Sequence, residues 1–242
     1  MVHLWPSLLV LAVITGLILF AWYPHPFLQL GDIGKISALQ IFAGSLIGPA
    51  LTWLVYKKGK RELKIDLSVI VLIQVVAMAW GVNYLYQNRP YFMVFTVDRF
   101  EVLAKWEVDL AGVTDDRLLD KPLAGPILLY ANMPKDAQDR QQLLREVMFE
   151  GKPDLQFRPE FWSLYADKKQ AVPPASRPLD DLQRARPGSA LDIDKLVRHN
   201  GGDIEQLKFA PAPLKNGQFA AIINAQSGEL VDALIIDPWI DE

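Results

Sequence analysis

The chain has 242 residues, 51% of them hydrophobic, with 25 Lys/Arg against 28 Asp/Glu and a formal net charge of −3. It contains no cysteine, which excludes disulfides, thiolate catalysis and cysteine-ligated metals. The charge is unevenly spread: residues 1–86 hold six Lys/Arg and three Asp/Glu, whereas residues 87–242 hold 19 and 25. The first part has the composition of a membrane segment and the second that of an ordinary domain long enough to build its own core. The acidic balance of the second part gives no electrostatic reason to expect a nucleic acid partner.

Leu4 to Tyr23 is a run of 20 residues without a charge. A helix needs about 20 apolar residues to cross a bilayer, so this length predicts a first span at 4–23. A cleaved signal peptide is the rival reading, but the apolar run is long for one and no small-x-small cleavage site follows. Trp22-Tyr23-Pro24-His25-Pro26-Phe27 reads as an aromatic belt at the membrane interface, with prolines ending the helix. Ile36 to Tyr56 is a second uncharged run, of 21 residues, and Leu67 to Tyr86 a third, of 20, giving predicted spans at 36–56 and 67–86. Pro49 is expected to kink the second. Gln74 and Asn83 in the third are explained by interhelical hydrogen bonds, and the absence of ionisable residues argues against an ion pathway.

Between the second and third runs lies Lys57–Lys64, reading KKGKRELK. Lys57, Lys58, Lys60, Arg61 and Lys64 form the densest positive charge in the chain, and short basic loops resist translocation. They determine the predicted topology: loop 57–64 cytoplasmic and residues 87–242 on the far side. Each predicted span also carries small residues one helical turn apart: Ala12 and Gly16, Gly44 and Gly48, Ala77 and Gly81. Such pairs offer shallow faces for another helix, either within a three-helix bundle or from a partner.

Beyond Asn88-Arg89-Pro90, the apolar segment Tyr91–Val97 reads as a central strand, with Phe100–Leu103 extending it or bending away. Gly125-Pro126 opens a second strand at Ile127–Ala131, and Asp136 is placed to cap a helix that Gly151 ends. In that helix Leu143, Leu144, Val147 and Met148 share one face. Residues 152–178, rich in proline and aromatics, suggest an irregular segment packed across the domain. Two short helices follow at Leu179–Arg186 and Leu191–Asn200, then a hairpin of Phe219–Asn224 and Leu230–Ile236. The expected fold class is therefore a three-helix transmembrane bundle followed by a soluble α+β domain.

No hydrolase elbow, phosphate loop, zinc-protease motif or dinucleotide fingerprint is present, and His3, His25 and His199 are scattered. We therefore assign no catalytic, cofactor-binding or metal-binding residues. Asp98, Arg99 and Glu101 form the most notable charged cluster because they directly follow a buried strand. Alternation aims Arg99 and Glu101 to one side, where they could pair with each other or face a partner.

The ordered set Trp22-Tyr23-Pro24, Gly48-Pro49, Lys64-Ile65-Asp66-Leu67, Arg89-Pro90, Phe95–Val102, Gly125-Pro126, Leu143-Leu144, Pro153-Asp154, Arg158-Pro159, Ser227-Gly228-Glu229 and Asp237-Pro238-Trp239 resembles the type IV pilin accessory proteins (TfpX/TfpZ type). The resemblance implies a bacterial inner-membrane protein, multi-pass, with a periplasmic C-terminal domain, that helps a cognate major pilin assemble or modulates pilus dynamics. It implies no cofactor. Expected partners are the pilin, the pilus assembly machinery and the lipid bilayer. The pilin's apolar helix would meet the small-residue faces, and its head the domain near Asp98–Leu103. Two other readings stay open: a membrane-anchored enzyme modifying pilin, and a subunit of the assembly and retraction platform.

Overall fold

The third uncharged run forms a helix, α1 (Leu63–Gln87). The computed structural model to which it belongs describes residues 13, 15–30, 63–215 and 217–240. Pro90 disfavours helical geometry in the residue before it, and α1 stops just short. Its last carbonyls find partners locally: the side chain of Asn88 donates to Tyr84 at 2.9 Å and that of Arg89 to Tyr86 at 2.6 Å. Val69, Leu72, Val76 and Trp80 are exposed along one side of α1, and so are Val71, Ile73 and Val75 on the others. A helix that is apolar all round belongs in a membrane or a protein interior, so an exposed one calls for a lipid or protein surround.

This corrects the expected three-helix transmembrane bundle. Among the described residues one helix, Ser68–Gln87, is long and apolar enough to cross a membrane, and most of what is described is an α+β arrangement with two sheets. The predicted second span (36–56) lies outside the described residues. Of the first (4–23), the described part ends in a wide π-type turn, Leu17–Trp22, that leads into the protein core. Ile18, Tyr23, Phe27 and Leu30 are all buried there, Tyr23 with 0% exposure. An apolar run suits a bilayer and a protein interior equally, and hydropathy alone does not choose between them.

Sheet A has strand order β2-β1-β3-β4, with β1 (Phe92–Thr96), β2 (Arg99–Leu103), β3 (Ile127–Ala131) and β4 (Trp162–Leu164). β1 and β2 form an antiparallel hairpin, while β1 and β3 run parallel. A parallel pair needs a crossover, and the 3-10 turns between β2 and β3 provide it, burying Val108 and Leu118 on the outer face of the sheet. Sheet B is antiparallel throughout, in the order β5-β6-β7-β8, with β5 (Arg177–Pro178), β6 (Leu207–Leu214), β7 (Gly217–Asn224) and β8 (Leu230–Leu234).

Strand alternation sorts the apolar residues into three layers. Met93, Phe95 and Phe100 from sheet A meet Ala210, Phe219 and Ala221 from sheet B, and the 18–30 segment is wedged among them. Each such phenylalanine contributes about 1.5–3 kcal/mol by full burial. On the outer face of sheet A, Phe92, Val94 and Leu129 pack with Leu143 of α2 (Ala137–Phe149). On the outer face of sheet B, Phe209, Ala220 and Ile222 are covered by α3 (Leu179–Ala185) and α4 (Ala190–His199). Sheets buried on both faces explain why β1 and β7 read as continuous apolar runs.

Asp136 caps α2 as expected, accepting from the Gln138 amide at 2.7 Å, and Gly151 follows it with φ +68°. The buried face of α2 differs from the expected one: Leu143 and Glu146 are inside, while Leu144 and Met148 are exposed.

Candidate functional site

The junction between α1 and the two sheets is built by the segment that precedes α1 in sequence. The Tyr23 hydroxyl donates to the Leu85 carbonyl at 2.7 Å, and burial pushes that hydroxyl's pKa up. Phe27 meets Phe219 edge to face with centroids 5.8 Å apart, and Trp22 meets Tyr86 likewise at 5.2 Å. The Gly125 amide donates to Ala21 at 3.2 Å, and His25 Nε2 donates to the Ala233 carbonyl at 3.1 Å. One turn of chain thus ties α1, the entry to β3 and edge strand β8 together. Beside it opens a cavity of about 380 Å³ between the sheets, with walls that include Pro24, Met93, Leu128 and Phe219 and with His25 and Asp232 among its polar residues.

A second cluster forms at the β1–β2 turn. Val97 holds φ +53° there, and Asp98 pairs with Arg99 at 2.9 Å. The Arg99 guanidinium lies 4.9 Å from the centroid of Trp239, a cation–π contact. Trp239 is held in turn: its indole N–H donates to Gln218 at 3.1 Å, and Arg186 donates both to its carbonyl and to Asp237 at 2.7 Å. The Gln218 amide closes the ring onto Asp237 at 2.7 Å. Trp239 stays 40% exposed and Asp98 and Asp237 are also exposed, so a rigidly held aromatic and an arginine face outward. That pairing of residue types is common at the centre of protein interfaces.

Of the residues singled out from the sequence, Arg99 and Glu101 do share the outer face of β2, but they do not pair. Arg99 turns to Asp98 and Trp239, and Glu101 stays half-buried. Burial pushes the Glu101 carboxyl up, opposed by Arg99 and reinforced by Asp154 and Asp98. Sequence reasoning missed Trp239, Gln218 and Arg186 as members of this cluster. Asp237-Pro238-Trp239 carried part of the resemblance, and that was the available signal.

Ala12, Gly44, Gly48, Lys57, Lys58, Lys60 and Arg61 lie outside the described residues, and Lys64 is in the first turn of α1. A side chain at Gly16 would meet nothing within 4 Å. Ala77 is exposed on α1 and Gly81 is buried. The Gln74 amide nitrogen, midway along α1, is buried without a hydrogen-bond partner among the described residues. Among the described residues no group of three or more His, Asp or Glu is placed to hold a metal ion.

No family model matches the chain, and no solved structure does. Similar proteins of known name do. A fimbrial assembly protein of serogroup I from Dichelobacter nodosus is 32% identical across 98% of this chain and 94% of its own length. The chain belongs to the fimbrial assembly protein family. The serogroup E1 member from the same organism is 26% identical over the same shares of both chains. A third, of serogroups C1 and C2, is 35% identical over 109 residues, or 44% of this chain. Membership agrees with the resemblance to type IV pilin accessory proteins.

Proposed function

We propose that this protein is a non-enzymatic accessory factor of type IV pilus biogenesis, held in the bacterial inner membrane by α1, whose α+β domain engages a cognate pilin in the periplasm. The observation that carries this reading is the near full-length relationship to fimbrial assembly proteins. The exposed, largely apolar surface of α1 supports membrane attachment. Its tight joint to the sheets supports a domain held close to the bilayer, where subunits with an embedded helix and an external head are within reach of both parts. The pilin head meets Arg99 and Trp239, which form an outward-facing surface braced by Arg186, Asp237 and Gln218.

Deletion of the protein is expected to lower surface pili while pilin itself is still made. Photocrosslinking groups placed at positions 99, 218 and 239 are expected to capture pilin in living cells. Normal surface pili after deletion, or no pilin adduct from any of the three positions, overturns this reading. A change in pilin mass on deletion also overturns it, because modification of pilin then accounts for the effect.

A further inference from the structure

Three cations converge on one aromatic ring at the foot of α1. Tyr91 is 8% exposed. The Arg89 guanidinium lies 3.6 Å from the centroid of Tyr86 and 5.2 Å from that of Tyr91. Lys105 Nζ is 5.3 Å and Lys121 Nζ 5.7 Å from the Tyr91 centroid. Lys121 also donates to the Gly125 carbonyl. None of the three forms a salt bridge with a carboxylate among the described residues. The nearby Glu107 is engaged elsewhere, accepting from the Ala104 amide and pairing with Lys215, each at 2.7 Å. Burial, and then the charge of Arg89, push the Lys121 ammonium pKa down. Arg89 and Lys121 repel each other at this half-buried site, a cost in free energy that an anion would offset, and the exposed Lys105 brings a third positive charge to the same ring.

The backbone fixes where this cluster sits. The Tyr91 amide donates to Leu103 and the Ile127 amide to Tyr91, each at 2.9 Å, so the starts of β1 and β3 and the end of β2 are level. Lys105, the Lys121–Gly125 loop and Arg89 therefore gather at the end of sheet A where α1 arrives. The same end carries Leu123, 97% exposed, and the exposed Trp106, while Trp80, Tyr84 and Tyr86 ring the last turns of α1. Amphipathic aromatics with Lys and Arg at the end of an apolar helix are the composition of a membrane–water interface.

We propose that Arg89, Lys105 and Lys121, arranged around Tyr91, bind the phosphodiester headgroup of an anionic phospholipid in the bilayer that α1 enters. The cations supply the charge, and the Tyr91 hydroxyl, which has no hydrogen-bond partner among the described residues, supplies a donor to a phosphate oxygen. Leu123 and Trp106 enter the acyl boundary beside the headgroup. This inference rests on the membrane attachment in the reading above but not on any contact with pilin.

The test uses the full chain purified in mild detergent, with native mass spectrometry after adding phosphatidylglycerol or phosphatidylcholine of the same acyl chains. Phosphatidylglycerol is expected to be retained in preference. Arg89→Gln, Lys105→Gln and Lys121→Gln are each expected to reduce its retention by about fivefold, the order expected for one basic residue at an anionic surface. Lys105 is exposed, so Lys105→Gln keeps the test valid if a change at the half-buried Lys121 disturbs folding. Equal retention of the two lipids, or an unchanged preference in the triple variant, overturns the proposal. So does displacement of the lipid by millimolar inorganic phosphate, which would make the site one for a soluble anion. Carbonate washing of membranes separates this from the underlying reading: release of the protein breaks membrane attachment itself, whereas retention without headgroup preference breaks this site alone.

Discussion

The hydroxyl of Tyr23 donates to the carbonyl of Leu85 at 2.7 Å, joining residues 62 positions apart in sequence. Leu85 lies in the last turn of α1, where carbonyls lack partners within the helix, and both residues have 0% exposure. Tyr23→Phe keeps the ring and removes the donor, leaving a buried acceptor unpaired. The expected loss is about 1–3 kcal/mol of stability. Thermal unfolding of the detergent-solubilised protein measures it, and an unchanged midpoint would show that the bond contributes nothing to the joint.

Gly228 is placed where a side chain has no room. Its φ is +70°, and a Cβ would lie 2.0 Å from the Lys169 carbonyl oxygen. The turn between β7 and β8 is docked there by Tyr165, which donates to the Gly228 carbonyl at 2.7 Å, and by the Lys169–Glu229 pair at 2.7 Å. Gly228→Ala is expected to lower stability by more than about 2 kcal/mol, since backbone must move as well as adopt an unfavourable φ. Gly201 has φ +104° but nothing within 4 Å, so Gly201→Ala isolates the conformational cost, about 1 kcal/mol. Similar losses in the two variants would contradict the close approach to Lys169.

Much of the α+β part was legible because its strands obey simple rules. Tyr91–Val97 is apolar on both faces, as β1 must be between two packed layers, and Asp136 and Gly151 bracket α2. β6 was hidden by Pro211 and Pro213, which argue against a central strand. They are tolerated because β5 pairs with β6 as far as Phe209 and no farther, so beyond it β6 has a ladder partner on one side alone. The destination of Tyr23 and Phe27 was not legible, because an aromatic belt and an aromatic core have the same composition. Arg99 was found as a surface residue, but its contact with Trp239 spans 140 residues and leaves no local pattern.

Glu146 makes part of this stability depend on pH. Its side chain is 8% exposed, and hydrogen bonds from Gln142 at 3.0 Å and Arg158 at 2.7 Å, with Lys152 at 3.1 Å, hold its carboxyl down to about 2 from an ordinary 4.5. A carboxyl with a lowered folded-state pKa stabilises the fold fully above its unfolded value and progressively less as pH falls toward the folded one. The unfolding midpoint is expected to drop between pH 4.5 and about 2 with a contribution that Glu146→Gln removes. Melting curves of both proteins across that range check it. Parallel pH profiles would show that other carboxylates dominate.

Glu101 titrates with the opposite sign. Burial is the largest cause raising its carboxyl pKa, so the folded state holds the proton more tightly than the unfolded chain does. Its ionised form therefore opposes folding at neutral pH, and the penalty fades as pH falls through the folded pKa. Glu101→Gln is expected to raise the unfolding midpoint at neutral pH and to leave it nearly unchanged in acid. A lower midpoint at neutral pH would mean that the carboxylate is held by an interaction stronger than its desolvation.

Arg99 and Trp239 give the clearest separation of folding from function. Their cation–π contact is partly exposed and is worth about 0.5–1 kcal/mol, and the exposed pair with Asp98 adds about 0–1 kcal/mol, so Arg99→Ala is expected to cost about 2 kcal/mol at most. If the pair forms the surface that meets pilin, the same variant is expected to cut surface pili severalfold at an unchanged protein level. Arg99→Lys retains the charge but loses the flat guanidinium that stacks on the indole, and should recover little. Trp239→Phe keeps an aromatic face and loses the hydrogen bond to Gln218, and should recover part of the activity. Shear-released pilin, scaled to total pilin, gives the readout. Wild-type piliation in Arg99→Ala would remove the β1–β2 turn from the pilin-binding surface and leave the α1 junction as the remaining candidate.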